Sequence, residues 1–419
     1  MHVLDYLKWA ESIIQVDKQS NVRFDPRAGK DAVLFEYRLL CSGMFYPTNF
    51  LGDWSHSDGA RILLSMPVHL LVASQPYDDY PQELSLRFVA SMVHETDGRS
   101  SSMFYPDREI ADDFAALLTI LCRRLVTVSA KVREQHPDSH TTPILTNYPI
   151  PVVTTVKQSF WKPRPLSFLY GLNDVKVKSY HPPNLPFEFS EIVSTLLSLP
   201  KLQCGQSVIR AARLYAAAME RIESQPETCY QLFISAAETI ANEALKDWEP
   251  DPGQKVASKN TLVDYAVKTE KLSNELAERL AMEACRGNPW SGRKFREFLL
   301  DYADWKKINE DDDLFIVPRE FVPKDNEIEE ALDDIYRTRS GASHGGKAFP
   351  ASAEIGPSVY MPVRAFDDVA NQRRPFPPIG WFERVVNSAI CGFIKAQIQP
   401  LAETAGRPLE QQQATDPVK

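Results

Sequence analysis

The chain has 419 residues, 43% of them hydrophobic and 25% charged, a soluble globular composition in a chain too long for one ordinary core. Its formal net charge of −9 argues against a general, salt-driven nucleic-acid coat, so any phosphate site has to be a local basic patch. No apolar run approaches the roughly 18 residues of a membrane span, and the first residues lack a signal peptide's pattern, so we expect a cytoplasmic protein. The length of the chain favours two domains.

The first 185 residues mix strand-like and helical patterns, which predicts an α+β domain of unknown specificity. Segments rich in strand formers occupy residues 33–40, 62–72, 84–92, 152–156 and 167–170. Between them, apolar residues recur at helical spacing from Arg108 to Arg133, with Asp112 and Asp113 in the first turn. This segment is therefore predicted to be one long helix.

The second part of the chain is predicted to be an all-α bundle over residues 200–400. Prolines at 182, 183 and 186 mark the expected boundary. Helical periodicity covers residues 208–222, 230–245, 261–285, 294–302, 326–339 and 381–398. The polar segment 404–419 is predicted to be a disordered tail.

The six cysteines are far apart and never form a C-x-x-C pair, which argues against a disulfide framework and a structural zinc site. We expect most of them to be small buried hydrophobes. The sequence also lacks a phosphate-binding P-loop and a hydrolase nucleophile elbow, so ATPase and hydrolase-elbow chemistry have no support.

The densest chemistry lies in the segment Tyr336–Gly346, where the predicted helix over 326–339 runs into a glycine-rich stretch. An arginine that is always charged stands near a histidine that can transfer protons, the minimal set for cleaving a phosphodiester. On a continuous helix, Arg339 and His344 would lie about 140° apart around the axis. A turn at Gly341 is therefore expected to bring them together.

Neighbouring polar residues have two readings each. The hydroxyls of Ser340 and Ser343 can bind phosphate oxygens or hold the turn. Arg337 can bind the nucleic-acid backbone, or pair with Asp333 or Asp334 one turn back.

Charged residues outside the motif leave similar alternatives. Glu238, among apolar residues of the helix over 230–245, either orients Arg339 or His344 or is a polar residue at the rim of the apolar stripe. Arg123 and Arg124 either touch phosphate or form a solvated helix face.

An arginine followed four to six residues later by a histidine, after a helix in an all-α domain, resembles the HEPN superfamily. A tyrosine, then Arg-Ser, then His-Gly resembles its Apea-like branch. The matching residues are Tyr336, Arg339, Ser340, His344 and Gly345. The resemblance covers about residues 200–400 and leaves the first domain outside it.

The resemblance implies an RNA endonuclease that needs no metal or cofactor, works as a homodimer and leaves 2′,3′-cyclic phosphate ends. His344 would act as general acid or base, and Arg339 would stabilise the charge that develops on the phosphate. Family analogy adds antiviral or stress defence, with the first domain recognising a regulatory protein or phage trigger. The alternative is a non-catalytic module for dimerisation or nucleotide binding that regulates a partner.

Overall fold

The structure is a computed structural model. It describes residues 4, 32–41, 61–65, 69–72, 82–91, 93–96, 101–104, 107–123, 125–135, 189–222, 225–249, 252–286, 291–310, 322–345, 349 and 376–405. The predicted boundary at 182–186, the strand-like runs at 152–156 and 167–170, and residues 406–419 of the predicted tail lie outside the described residues.

Antiparallel strands form the first part of the described chain. They are β1 (Ala32–Cys41), β2 (Arg61–Ser65), β3 (His69–Val72), β4 (Gln82–Ser91), β5 (Val93–Thr96), β6 (Ser101–Phe104) and β7 (Val126–Gln135). One sheet has the order β2-β3-β4-β1-β7, and β5 pairs with β6 separately. Phe35, Tyr37 and Leu39 alternate along β1 and are fully buried, so this face of the central strand belongs to the core.

The predicted helix over 108–133 is too long. Helix α1 spans Asp107–Leu121, and β7 follows it. From Val126 onward apolar and polar residues alternate with the period of a strand, and β7 pairs antiparallel with β1. The turn is held by the Thr119 hydroxyl, which accepts the backbone N–H of Val126 at 3.0 Å. Strand pairing therefore overrides the helical periodicity beyond Leu121.

Every element described after residue 188 is helical, which confirms the coarse prediction for this part of the chain. The α-helices are α2 (Phe189–Ser198), α3 (Gly205–Arg221), α4 (Pro226–Ala244), α5 (Pro252–Lys268), α6 (Asn274–Arg286), α7 (Ser291–Tyr302), α8 (Trp305–Glu310), α9 (Ile328–Gly345) and α10 (Ile379–Ala405). The predicted helix over 261–285 is two helices, because the chain turns between α5 and α6.

One buried core runs from the sheet through the helices. Helix α1 packs on α3, and α10 packs on α4 and α7. An ion pair between Arg213 of α3 and the buried Asp113 of α1 adds a polar interaction to the contact between these two helices. Four cysteines in the described residues are buried and unbridged, as expected: Cys122, Cys204, Cys229 and Cys391.

Helices α5 and α6 pack against each other as a hairpin. Among the described residues, the exposed large hydrophobic side chains all belong to this hairpin: Val256, Leu262, Tyr265, Leu276, Leu280 and Met282. None of the described helices combines the length and the apolar character that crossing a membrane requires.

Candidate functional site

Helix α9 continues through the motif to Gly345, so the predicted turn at Gly341 is wrong. Packing of the buried face of the helix explains why it continues past Gly341. Ile335 is fully buried, and Ala342 packs against the core one turn beyond Arg339. A glycine inside a helix costs about 1 kcal/mol relative to alanine, which tertiary packing on both sides of it offsets.

Four residues from three helices meet around one carboxylate. Glu238 of α4 accepts hydrogen bonds from the Tyr336 hydroxyl at 2.8 Å and from an Nη of Arg339 at 3.2 Å. The hydroxyl of Ser291, at the start of α7, lies 2.8 Å from the Tyr336 oxygen. The Arg339 guanidinium carbon lies 5.7 Å from the centre of the Tyr336 ring. We call these four residues the carboxylate cluster.

The carboxylate cluster is partly buried and retains some contact with solvent. The side chains of Glu238 and Arg339 are 17% and 28% exposed, so water screens their attraction less than it screens a surface pair. Burial raises the pKa of Tyr336 above its ordinary value; the Ser291 hydrogen bond opposes this shift, and the hydrogen bond to Glu238 adds to it. Tyr336 is therefore a neutral hydrogen-bond donor at physiological pH.

Close packing of α7 fixes the tyrosine ring. A Cβ atom on Gly292 would lie 2.8 Å from Tyr336, so only glycine allows the helix to approach this closely. The Phe295 ring lies 5.4 Å from the same ring, centre to centre. One helical turn earlier on α9, Asp333 accepts a hydrogen bond from Arg296 at 3.0 Å. These contacts hold α9 against α7 beside the cluster.

The structure shows the contacts of two charged residues for which alternatives were left open. Glu238 contacts Arg339, as an orienting role requires, and the role itself stays a prediction. Arg337 is exposed and donates to the Asp334 carboxylate at 2.7 Å, which confirms the predicted pairing one turn back. Sequence reasoning missed Ser291, whose only local signal is its position beside a glycine at a helix start.

The remaining predicted residues lie on the same helix. Ser340 is partly buried, and the backbone places Ser343 and His344 in the last turn. Because α9 is continuous, positions 339 and 344 are separated by about 140° around the axis and by about 7.5 Å along it. One copy of the helix thus presents these two positions on different sides.

Within the part of the chain that the structure describes, no three His, Cys, Asp or Glu residues are grouped so that they could hold a metal ion. No family model, no curated protein and no solved structure matches the chain.

Proposed function

We propose that the chain is an RNA endonuclease of the HEPN type that works without a metal. In this proposal His344 is the general acid or base, and Arg339 stabilises negative charge on the phosphate during attack by the ribose 2′-hydroxyl. The observation that carries the proposal is the contact of Arg339 with Glu238 and Tyr336. It fixes a guanidinium group five positions before the one histidine of the motif, on the same helix.

The guanidinium group keeps donors for a substrate. An arginine has five N–H donors, and among the described residues the hydrogen bond to Glu238 uses one of them. The side chain is 28% exposed, which leaves it accessible from solvent. A guanidinium held on one edge by a carboxylate is preorganised to bind phosphate oxygens with its other edge.

The separation of positions 339 and 344 favours a site shared between two copies of the chain. A phosphate bound by Arg339 of one protomer is more easily reached by a histidine from another protomer than by one about 140° away on the same helix. A two-fold homodimer creates two such shared sites. We therefore propose a homodimer whose catalytic cleft combines both copies of α9.

The direct test incubates labelled RNA with the full chain in EDTA and compares wild type with Arg339→Ala and His344→Ala. The matched control is Arg337→Ala, which removes an exposed arginine two positions away from Arg339. We expect cleavage with 2′,3′-cyclic phosphate ends by wild type and by the control, and loss of about 100-fold or more for the other two variants. Equal cleavage by all four proteins would reveal contamination and refute the proposal.

A mixing experiment tests the shared site. A heterodimer of Arg339→Ala and His344→Ala chains contains one intact Arg–His pair if the pair forms between protomers, and none if it forms within one chain. With random exchange of protomers, an equal mixture is expected to recover about a quarter of wild-type activity. No recovery, with exchange verified by native mass spectrometry, would rule out the shared site.

The second candidate is a non-catalytic module for dimerisation or nucleotide binding that regulates a partner. The ion pair with Glu238 also fits this candidate, because a partly buried arginine paired with a carboxylate joins α4 to α9 whether or not it binds a substrate. Stable dimers without RNA cleavage would support this candidate. A cytoplasmic role in antiviral or stress defence, with the first domain recognising a trigger, is the biological setting that we propose for either candidate.

A further inference from the structure

A pocket of about 210 Å³ lies where α1, α7, α8 and α10 meet, and it shares no residue with the carboxylate cluster. Its lining contains four basic side chains from three segments of the chain: Arg123 after α1, Lys307 of α8, and Arg384 and Lys395 of α10. Asp304 is the one carboxylate in the same lining. This positive lining contrasts with the net charge of −9 on the whole chain.

The acidic groups near the pocket already have defined partners. Asp304 caps α8, and its Oδ1 accepts the backbone N–H of Lys307 at 3.1 Å. Glu383 binds Arg123 at 2.7 Å, and the half-exposed Glu191 lies 3.5 Å from Lys395. Glu383 and Glu191 thus hold the side chains of Arg123 and Lys395 in place beside the pocket.

The backbone of Arg123 supports a role for its side chain. Its φ of 48° lies in the left-handed region, where glycine normally ends a helix and a residue with a Cβ atom is disfavoured. Arg123 is 5% exposed, which contradicts the alternative of a solvated helix face at this position. The guanidinium of Arg123 is held by the Glu383 carboxylate through its Nε and one Nη, and this pairing keeps the arginine at the pocket wall despite its left-handed backbone.

We propose that this pocket binds a small phosphate-bearing anion. Converging arginine and lysine side chains are the groups that proteins use for phosphate oxygens. The pocket is smaller than the roughly 300–1,000 Å³ of sites for drug-sized ligands, so an occupant of the size of pyrophosphate fits the space. The ligand joins the end of α1 to α8 and α10, and thus the first part of the chain to the helical part.

The test is isothermal titration of the full chain with pyrophosphate at low ionic strength. Lys307→Ala removes an exposed basic side chain from the lining, and Lys306→Ala removes its exposed neighbour, which does not line the pocket. We expect saturable binding to wild type and to Lys306→Ala, and about tenfold weaker binding to Lys307→Ala. Circular dichroism verifies that both variants are folded.

Three outcomes would overturn the proposal. The first is no saturable binding of pyrophosphate at millimolar concentration. The second is an equal loss of affinity in both lysine variants, which would indicate attraction to the surface of α8 in general. The third is citrate binding as tightly as pyrophosphate, because the pocket would then select negative charge and not the phosphate group.

Discussion

Replacing Glu238 with glutamine tests the carboxylate cluster most directly. The substitution keeps the side-chain size and one acceptor but removes the charge that receives hydrogen bonds from Tyr336 and Arg339. A hydrogen bond to a charged group contributes about 1.5–3 kcal/mol. Because glutamine retains part of this interaction, we expect the free energy of unfolding to fall by about 1–2 kcal/mol. That is a large part of the roughly 5–15 kcal/mol typical of a folded protein.

Urea unfolding followed by circular dichroism measures this change. The matched control is Glu243→Gln on the same helix, whose carboxylate accepts a hydrogen bond from the Ser207 hydroxyl at 3.3 Å, and we expect it to change stability by at most about 0.5 kcal/mol. A double-mutant cycle with Tyr336→Phe should give a coupling energy of about 0.5–1 kcal/mol, since the two residues share a hydrogen bond.

The same variant has a predicted effect on the proposed nuclease. Loss of the charge that orients Arg339 should lower RNA cleavage by about tenfold, equivalent to about 1.4 kcal/mol in the activation free energy. If Glu238→Gln is as stable as Glu243→Gln and shows no coupling to Tyr336→Phe, the cluster does not hold α9 on α4. The reasoning from these contacts would then be refuted.

Three further substitutions or treatments test the surrounding structure. Glu383→Gln removes the charge that pairs with a buried arginine and should lower the free energy of unfolding in urea by about 3–5 kcal/mol. Glu191→Gln removes the charge of a half-exposed pair and should lower it by at most about 1 kcal/mol. Gly292→Ala, which pushes a methyl group into the tyrosine ring of the cluster, should destabilise by about 1–3 kcal/mol, and Gly253→Ala, with open space around it, should not destabilise. Burial raises the pKa of Cys391 from 9.0 to about 12, so the thiol of the folded chain should resist alkylation at pH 8. Because the unfolded chain loses this proton at lower pH than the folded chain, the free energy of unfolding should decline as the pH rises above about 9. Rapid alkylation of the folded protein, measured by mass spectrometry, would contradict the burial.

The sequence was sufficient for features set by local pattern. The apolar stripe of α4 and the pairing of Arg337 one turn back both depend on residues three or four positions apart, which share a helix face wherever the helix forms. The end of α9 was not predictable in this way. Gly341 is a poor helix former, and the helix gains support there from tertiary packing, with Ala342 against the core.

One of the two interpretations of Arg123, the solvated helix face, is wrong for a related reason. Next to a second arginine in a helical pattern it is typical of a solvated face, and its partner Glu383 is 260 positions away in the sequence. A charged residue becomes acceptable in the interior only when such a partner is present, and a single sequence does not reveal the pairing. The buried thiols were easier to predict, because isolated cysteines in a chain without metal-binding spacing are usually small hydrophobes.

Helix α7 is the element on which both proposed sites depend. At its start, Ser291 and the close approach at Gly292 hold the tyrosine of the carboxylate cluster. At its end, Tyr302 lines the anion pocket, and its carbonyl oxygen would lie only 2.2 Å from a Cβ on Gly392, so glycine is required for α10 to pack there. The 12 residues of α7 span about 18 Å as one rigid rod. The two proposed sites therefore lie at opposite ends of one rigid helix, so a substitution that displaces α7 is expected to affect both.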